Sequence, residues 1–487
     1  MKLLKDILYK ARITAVHGST HIAVNHLTMD SRTVKKFTLF VAVRGTQADG
    51  HDYIQQAIEK GAIGIVCEAL PEQLKDNVTY VQVSNSSEAL GYIASNYYDE
   101  PSSHLKVVAV TGTNGKTTVA TLLYRLTTAM GSKSGLISTV VNLIGKKSIP
   151  ATHTTPDAIA LQQLLSEMVA QGCEYCFMEA SSHALHQHRL TGVKFAGALF
   201  TNITHDHLDY HKTFNEYISA KKILFDSLPS SAFAIINKDD RHAEVMVQNC
   251  KARVRTTALQ SMADYKARLI ENSINGLHLS VDGQDLFTRL IGGFNAYNVL
   301  QVYAAACELG LKKMEVLTTL SSLEAPEGRF QQLTSRSGIM AVVDYAHTPD
   351  ALKNVLETIR EFKTGNEQLI TVVGCGGDRD RTKRPEMSRI AANLSDRVIL
   401  TSDNPRSENP DDIIAEMKSG LDPVQAKKTL AVSDRREAIR LACTFAGKGD
   451  IILIAGKGHE KYQEVKGVRH DFDDYAITHE TLTSLGK

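Results

Sequence analysis

Val107-Val-Ala-Val-Thr-Gly-Thr-Asn-Gly-Lys-Thr-Thr118 is the stretch on which the reading of the fold turns. Val107, Val108, Ala109 and Val110 form an apolar run that predicts a buried strand, and Leu122, Leu123, Leu126 and Met130 then recur at helical spacing. The glycine turn between them points backbone N–H groups into a concavity at a helix N-terminus, which suits phosphate oxygens. Lys116 is placed to neutralise the outer phosphates, and the Thr117 hydroxyl to face Mg²⁺. The strict phosphate-loop pattern has a glycine where this chain has Val110. Gly-Lys-Thr-Thr between a strand and a helix still favours ATP or GTP binding over a turn with no ligand.

At 487 residues the chain is too long for one core, and usual domain sizes predict roughly three domains. With 43% hydrophobic and 22% charged residues, each domain can build an ordinary core. A net charge of +1 offers no field to attract nucleic acid or a membrane surface, so a small-molecule ligand is expected. Leu3, Leu4, Ile7, Leu8 and Ala11 share one helical face, so Met1–Val16 reads as an amphipathic helix without a signal-peptide core. No apolar run is long enough to cross a bilayer, and membrane insertion is not expected. Seven cysteines, an odd number, argue for reduced thiols in the cytoplasm. Cys173-Glu-Tyr-Cys176 has no second pair and lies in a strand-like run, which favours packing over zinc or redox chemistry.

Short mixed elements fill the first hundred residues: Leu39–Val43, helix Ile54–Lys60, Ile63–Cys67 and Val78–Val83. Turn-rich clusters at Asp99–Ser103 and Ala325–Phe330 then divide the chain into 1–102, 103–332 and 333–487. The last part is the most regular. Strands at Ile339–Val343, Leu369–Val373, Arg397–Leu400, Thr429–Val432 and Asp450–Ala455 alternate with amphipathic helices. The first of these helices has Thr348 as cap, Pro349 in its first turn, and an apolar face of Leu352, Val355, Leu356, Ile359 and Phe362. Such alternation implies a parallel, doubly wound sheet whose ligands bind at the carboxyl ends of the strands. Asp344 and His347, Gly376–Arg379, Asp403–Arg406, Asp434-Arg435 and Gly456–Glu460 each follow a strand, and together they read as one site. No internal repeat or low-complexity tract is present.

Glu179 ends the run Tyr175–Glu179, where a carboxylate beside a phosphate loop can bind Mg²⁺; the rival is a surface glutamate. Thr201–His211 is dense in ligand-type side chains. A metal-dependent hydrolase using His205-Asp206-His207 is the alternative there, but the last histidine of the two-metal H-x-H-x-D-H signature is displaced by one residue. One histidine serving Mg²⁺ or phosphate explains the run better. In the helix Tyr217–Phe225, periodicity alone leaves Lys221 and Lys222 solvated. Asp403-Asn-Pro-Arg406 pairs a carboxylate with a guanidinium, which suits a zwitterionic ligand as well as a loop salt bridge.

Together these residues resemble the Mur ligase family, the ATP-dependent amide-forming enzymes of peptidoglycan assembly, over essentially the whole chain. The resemblance implies an α/β protein of three domains. A small N-terminal α/β domain binds the UDP-sugar, a central P-loop ATPase-type domain carries a parallel or mixed sheet, and a C-terminal Rossmann-like doubly wound domain takes the amino acid. It further implies that Gly112, Thr113, Asn114, Gly115, Lys116, Thr117 and Thr118 hold ATP, with Asn298, Arg329 and Asp344 approaching the nucleotide. The lysine of the family's A-K-x-x-L-F pattern is carbamylated, which selects Lys221 and turns a cation into a carboxylate. Thr117, Glu179, His207 and carbamylated Lys221 are then the implied magnesium set, and Lys116, Glu179, His207 and Lys221 the catalytic group.

For the UDP-linked dipeptide the resemblance points to Met29, Ser31, Thr46, Gln47 and Ala48, and to Thr154, Thr155, Ser181, Gln187 and Arg189. His153 stands where asparagine is expected. For the amino acid it points to Arg379, Asp403, Asn404, Pro405, Arg406, Gly456 and Glu460. Relatives that add lysine lack the loop arginine. A buried Arg406 left unpaired by lysine would discriminate strongly, so meso-diaminopimelate is the expected substrate and L-lysine the alternative. The expected reaction joins it to the D-glutamate side-chain carboxylate of UDP-MurNAc-L-Ala-D-Glu through an acyl phosphate, with ATP and Mg²⁺. A cytoplasmic monomer serving cell-wall biogenesis, cell shape and cell division is implied.

Overall fold

The strand Lys106–Thr111 is buried along both faces, which accounts for its unbroken apolar run. In the computed structural model, which describes residues 1–45, 48–363 and 365–487, this strand lies near the middle of a sheet of eleven described strands. Its neighbours Tyr175–Glu179 and Phe195–Phe200 run parallel to it. Parallel pairing continues outward through Phe233–Asn237 and Arg253–Ala258, then gives way to the antiparallel meander Tyr265–Ser273, Gly276–Val281 and Gln284–Thr288. On the other side Ser134–Ile137 leads into the antiparallel hairpin Val141–Ile144 and Lys147–Pro150. The central sheet is therefore mixed, with parallel strands where the phosphate loop sits.

The loop turns directly into the helix Lys116–Ala129, whose Leu122, Leu123 and Leu126 pack on the sheet beside the long helix Gly293–Glu308. Gly115 has φ 88°, and a Cβ there would stand 2.5 Å from Asn298 Oδ1. Only glycine lets the loop approach that helix so closely.

Among the described residues the C-terminal sheet has six strands. Met340–Asp344, Ile451–Ala455, Leu369–Cys375, Arg397–Ser402 and Thr429–Ala431 lie parallel in that spatial order. Gln331–Thr334 adds an antiparallel edge to Met340–Asp344. Helices Pro349–Phe362, Lys383–Leu394 and Pro410–Lys418 cover one face, and Arg435–Phe445 and Asp474–Ser484 the other. The doubly wound arrangement follows from βα alternation. The edge strand had no clear sequence signal, because Gln331-Gln-Leu-Thr334 carries a single large apolar residue.

The first part of the chain builds a five-stranded sheet ordered Ile13–His17, Thr79–Val83, Ala62–Cys67, Thr38–Val41 and His26–Thr28. The expected helix over Met1–Val16 is not formed. Lys2–Leu3 is a short strand, Leu4–Ile7 a single helical turn, and Ile13–His17 an edge strand. Lys10 and Arg12 take positive φ values of 65° and 49°, which ends the turn, and the β-branched Ile13, Thr14 and Val16 then favour the extended state. Leu4, Ile7, Leu8 and Ala11 are still buried, in the same cluster as Leu90, Ile93 and Ala94 of helix Ser86–Tyr97. Cys173 and Cys176 are buried free thiols, both pushed up by burial, as a packing role requires. No helix among the described residues is long and apolar enough to cross a membrane.

Asp434-Arg435 belongs to the scaffold and does not line the cleft described below, contrary to the expectation that every strand-end cluster joins one site. Asp434 caps the helix Arg435–Phe445 by accepting from Glu437 N–H. Arg435 is fully buried and forms a two-pronged pair with Asp474, at 2.9 Å from Nε and 2.7 Å from Nη2. Its Nη2 also donates to the Ala455 carbonyl at 3.1 Å, tying the last helix to the end of a central strand. Removing one partner strands a buried charge, so Arg435→Met should destabilise the C-terminal sheet by about 3–5 kcal/mol. Adding Asp474→Leu should recover most of that loss. Hydrogen exchange at the Ile451–Ala455 amides reads the effect, and unchanged protection in the single variant would show that the pair contributes nothing.

Candidate active site

A cleft of about 1110 Å³ opens between the central and C-terminal sheets, lined by the phosphate loop on one side and C-terminal strand ends on the other. Lys116 lies over its own loop, with Nζ donating to the Gly112 carbonyl at 2.9 Å and the Thr113 carbonyl at 2.8 Å. The Thr117 hydroxyl donates to Glu179 Oε1 at 2.9 Å and accepts from Arg329 Nη2 at 3.0 Å. Glu179 Oε1 also accepts from Thr139 N–H at 2.8 Å. Arg329 stacks on the Tyr345 ring at 4.5 Å. Burial pushes the Asp344 carboxyl up, opposed by the Arg329 charge, and Asp344 accepts from Phe330 N–H at 2.6 Å. Asn298 reaches the loop from helix Gly293–Glu308, so Asn114, Thr118, Asn298, Arg329 and Asp344 all line this end. Gly112 lies beneath it.

Lys221 corrects the periodicity reading. It is 1% exposed, its Nζ donates to the Gly112 carbonyl at 2.8 Å, and it stands 4.5 Å over the Tyr217 ring. Burial, followed by the nearby Lys116 charge, pushes its ammonium well below the ordinary lysine range. A helical wheel shows only which residues share a face of Phe214–Asp226; it cannot show that a loop from another strand covers that face. Lys222, by contrast, pairs with Asp226 near the surface.

His207 is driven down to about 3 by burial, although adjacent Asp206 opposes this. Burial pushes Asp206 up, but His207, Lys383 and His347 outweigh it and hold the carboxylate ionised. His205 points elsewhere, to Asp380 at 3.1 Å, and the spacing of the Thr201–His211 run does not close around an ion. Among the described residues no three His, Cys, Asp or Glu side chains are disposed to hold a metal. Thr117 and Glu179 do bring two oxygen donors together, a set that suits a hard cation when a phosphate supplies the rest.

At the far wall, Arg379, Asp403, Asn404, Arg406, Gly456 and Glu460 line the cleft. Pro405 is buried and does not line the cleft. Asn404 Nδ2 donates to Glu460 Oε2 at 2.8 Å. Arg406 is half-buried rather than fully buried, and its Nη1 already donates to the Gly377 carbonyl at 2.7 Å. Gly456 has φ 119°, and a Cβ there would meet Asp403 Oδ2 at 2.6 Å.

Thr154 and Ser181 line the cleft, whereas Thr155, Gln187 and Arg189 form a hydrogen-bonded group outside it. Arg189 Nη1 donates to the Thr155 carbonyl at 2.9 Å, and Nε to Gln187 Oε1 at 3.0 Å. Met29 and Ala48 are exposed on the first sheet's domain, and Ser31 donates to Gln56 Oε1 at 2.7 Å; none of the three lines the cleft. Thr46 and Gln47 lie outside the described residues. His153 is exposed at the cleft rim.

Several cleft residues had little or no sequence signal. Asp350 accepts from Asn114 Nδ2 at 2.9 Å, joining the phosphate loop to a C-terminal helix. Thr139 lies beside Ser138 in a short loop with no motif around it. Asp206 and His347 sat inside quoted runs, and their depth could not be read from spacing.

The sequence matches the Mur ligase middle domain over residues 110–306, the Mur ligase glutamate ligase domain over 328–458, and the Mur ligase family catalytic domain over 23–98. It is 57% identical over 485 residues to the UDP-N-acetylmuramoyl-L-alanyl-D-glutamate--2,6-diaminopimelate ligase of Cytophaga hutchinsonii, covering 99% of this chain and 100% of that one. The ligase of the same name from Phocaeicola vulgatus is 51% identical, over 97% and 98% of the two chains. A solved structure of a ligase of that name superposes with a TM-score of 0.69 at 33% identity, covering 100% and 99%.

Burial also pushes His347 down to about 4 and His459 to about 3, against an ordinary value of 6.5. Between about pH 3 and pH 6.5 the unfolded chain therefore binds protons at these rings that the folded protein does not. Stability should be full above that window and fall as the pH drops through it. Thermal unfolding across pH, compared with His459→Gln, tests this: the variant should lose stability less steeply in acid. An identical slope in both would mean that His459 does not titrate as its burial requires.

Proposed function

The chain belongs to the Mur ligase family, and from that premise we infer that it joins 2,6-diaminopimelate to UDP-N-acetylmuramoyl-L-alanyl-D-glutamate at the expense of ATP, in peptidoglycan precursor synthesis. The observation that carries this reading is the juxtaposition in one cleft of the Lys116 loop with the Asp403–Arg406 and Glu460 wall. A nucleotide and a zwitterion can meet there over the carboxylate of a third substrate. The meso isomer is the expected one, and diaminopimelate fits better than lysine because the donors of Arg406 left free by Gly377 suit a distal carboxylate that lysine lacks.

A free carboxylate is a poor acyl donor because oxide would have to leave. One of its oxygens attacks the γ-phosphorus of ATP, ADP departs, and an acyl phosphate forms. The neutral amine of diaminopimelate then attacks the carbonyl carbon. The tetrahedral intermediate collapses by expelling inorganic phosphate, with loss of a proton from nitrogen, and the amide remains. Lys116 moves from its loop carbonyls to the transferring phosphoryl group, where it and the loop amides offset developing charge. Arg329, bonded to Thr117 and stacked on Tyr345, orients the nucleotide end. Asp403 and Glu460 receive an ammonium group of the amino acid, and Arg406 its carboxylate.

Thr117 and Glu179 would hold Mg²⁺, with His207 and Lys221 completing the set. Bound there, the ion supplies Lewis-acid neutralisation of phosphate charge. Lys221 fits as a carbamate. Its amine, which burial and the nearby Lys116 charge make readier to lose its proton, can add to the carbon of CO₂ and release a proton, leaving a carboxylate that faces Lys116. Met29, Ser31, Thr46, Gln47, Ala48, Thr154, Thr155, Ser181, Gln187 and Arg189 serve the UDP-linked substrate. We propose that the enzyme acts as a monomer in the cytoplasm.

Phosphate release measured with ATP, the UDP-linked dipeptide and either diaminopimelate or lysine tests the reading. Release should require all three substrates and favour diaminopimelate. Lys116→Ala should lower turnover by about 10³-fold or more, and near-normal turnover would remove the phosphoryl-transfer role. Arg406→Ala should raise the KM for diaminopimelate about tenfold or more while hardly changing that for lysine. Equal losses for both amino acids would show that the loop does not read the distal carboxylate.

A further inference from the structure

Lys457 follows the strand Ile451–Ala455, is completely buried, and lines no part of the cleft. Its Nζ donates to Asn404 Oδ1 at 2.8 Å and lies 3.5 Å from Asp403 Oδ1 and 3.6 Å from Glu460 Oε2. Asn404 closes the arrangement by donating from Nδ2 to Glu460 Oε2, while its Oδ1 also accepts from Glu464 N–H at 2.9 Å. One buried ammonium group thus touches all three side chains that form the acidic wall.

On the reading that this wall receives diaminopimelate, we propose that Lys457 is a positioning residue that holds Asp403, Asn404 and Glu460 as a single cradle and sets its charge. Lys457 opposes the proton uptake that two facing carboxylates invite, so both remain acceptors for one ammonium group of the amino acid. Without Lys457 the two carboxylates would face each other in a desolvated wall, and one of them would take up a proton. The proton would go to Glu460. Burial and then the Asp403 charge already push its carboxyl up, and Lys457 opposes them. Asp403 is held below the ordinary carboxylate range because Lys457, Arg435 and His347 outweigh its burial. The charged and titratable groups facing Glu460 are Asp403, Lys457, Arg406, Arg435, Tyr345 and Tyr462. Of these only Lys457 donates to Asn404 while also reaching both carboxylates.

The arrangement also explains why a lysine is buried here. An isolated buried ammonium is costly, and two carboxylates and an amide oxygen offset that cost here. Asn404 cannot supply both of its bonds unless its amide is fixed in one orientation. The Lys457 and Glu464 N–H donors on Oδ1 fix it together, and so leave Nδ2 for Glu460.

Lys457→Met preserves length and removes the charge. With ATP and the UDP-linked dipeptide saturating, it should raise the KM for diaminopimelate by about tenfold or more. The KM values for the other two substrates should barely move. The defect should shrink as the pH is raised from 6.5 to 9, because Glu460 ionises again. In protein carrying ¹³C-labelled glutamate, assigned with Glu460→Gln, the Glu460 carboxyl midpoint should move upward in Lys457→Met. That measurement needs no turnover, so it judges the lysine even if wild-type protein shows no diaminopimelate-dependent phosphate release, a result that would fell the substrate reading instead. An unmoved Glu460 midpoint, or KM values that rise together for all three substrates at every pH, would overturn the proposal. Should Lys457→Met fail to fold, Lys457→Met with Glu460→Gln should fold, because one unpaired carboxylate is removed. Failure of both would assign Lys457 to packing and overturn the charge-setting role.

Discussion

The Thr117 hydroxyl joins three parts of the molecule at once. It donates to Glu179 at the end of one central strand, accepts from Arg329 on the connection to the last sheet, and opens the helix that follows the phosphate loop. Because Arg329 also stacks on Tyr345, the position of the C-terminal wall is referred to the same oxygen. Asn114 to Asp350 and His205 to Asp380 add two further ties between the halves of the cleft. A reaction with three substrates depends on such a common origin, since a small displacement between reacting atoms is expensive.

Burial makes the second contribution. The cleft takes ionisable groups out of water, which favours the neutral forms of its bases. His207 and Lys221 both lose their protons more readily than in solution, chiefly by desolvation. Asp206 and Asp403 are held below the ordinary carboxylate range with positive charge against them, Lys383 beside the first and Lys457 and Arg435 beside the second. The same low-dielectric setting lets one buried lysine, Lys457, govern two carboxylates at the amino-acid end. At the scaffold level Arg435 and Asp474 use burial differently, spending their charges on each other and on strand-end carbonyls.

Local readings held wherever a residue's role depends on its immediate neighbours in the chain. The strand–turn–helix around Lys116, the cap at Thr348 and the βα alternation after residue 339 are all of this kind. Met1–Val16 failed because an apolar helical stripe and a broken turn followed by an edge strand can bury the same Leu4, Ile7 and Leu8. Asp434-Arg435 failed because a strand-end position does not say whether a side chain faces the cleft or the opposite helix layer. Lys221 failed as periodicity, since the carbonyl that its buried amine meets lies 109 residues away in the chain.

The amino-acid sequence by itself determined the nucleotide loop, the three-part α/β plan and the cluster of acidic and basic residues at the ends of the last parallel strands. These follow from short-range rules of periodicity, glycine geometry and capping, which act within one or two turns of chain. Only the tertiary structure decided which of those charged groups share a cleft, which are paired beneath it, and which are stripped of water. Desolvation and ion pairing depend on distances between segments that are remote in sequence, and no local pattern encodes them.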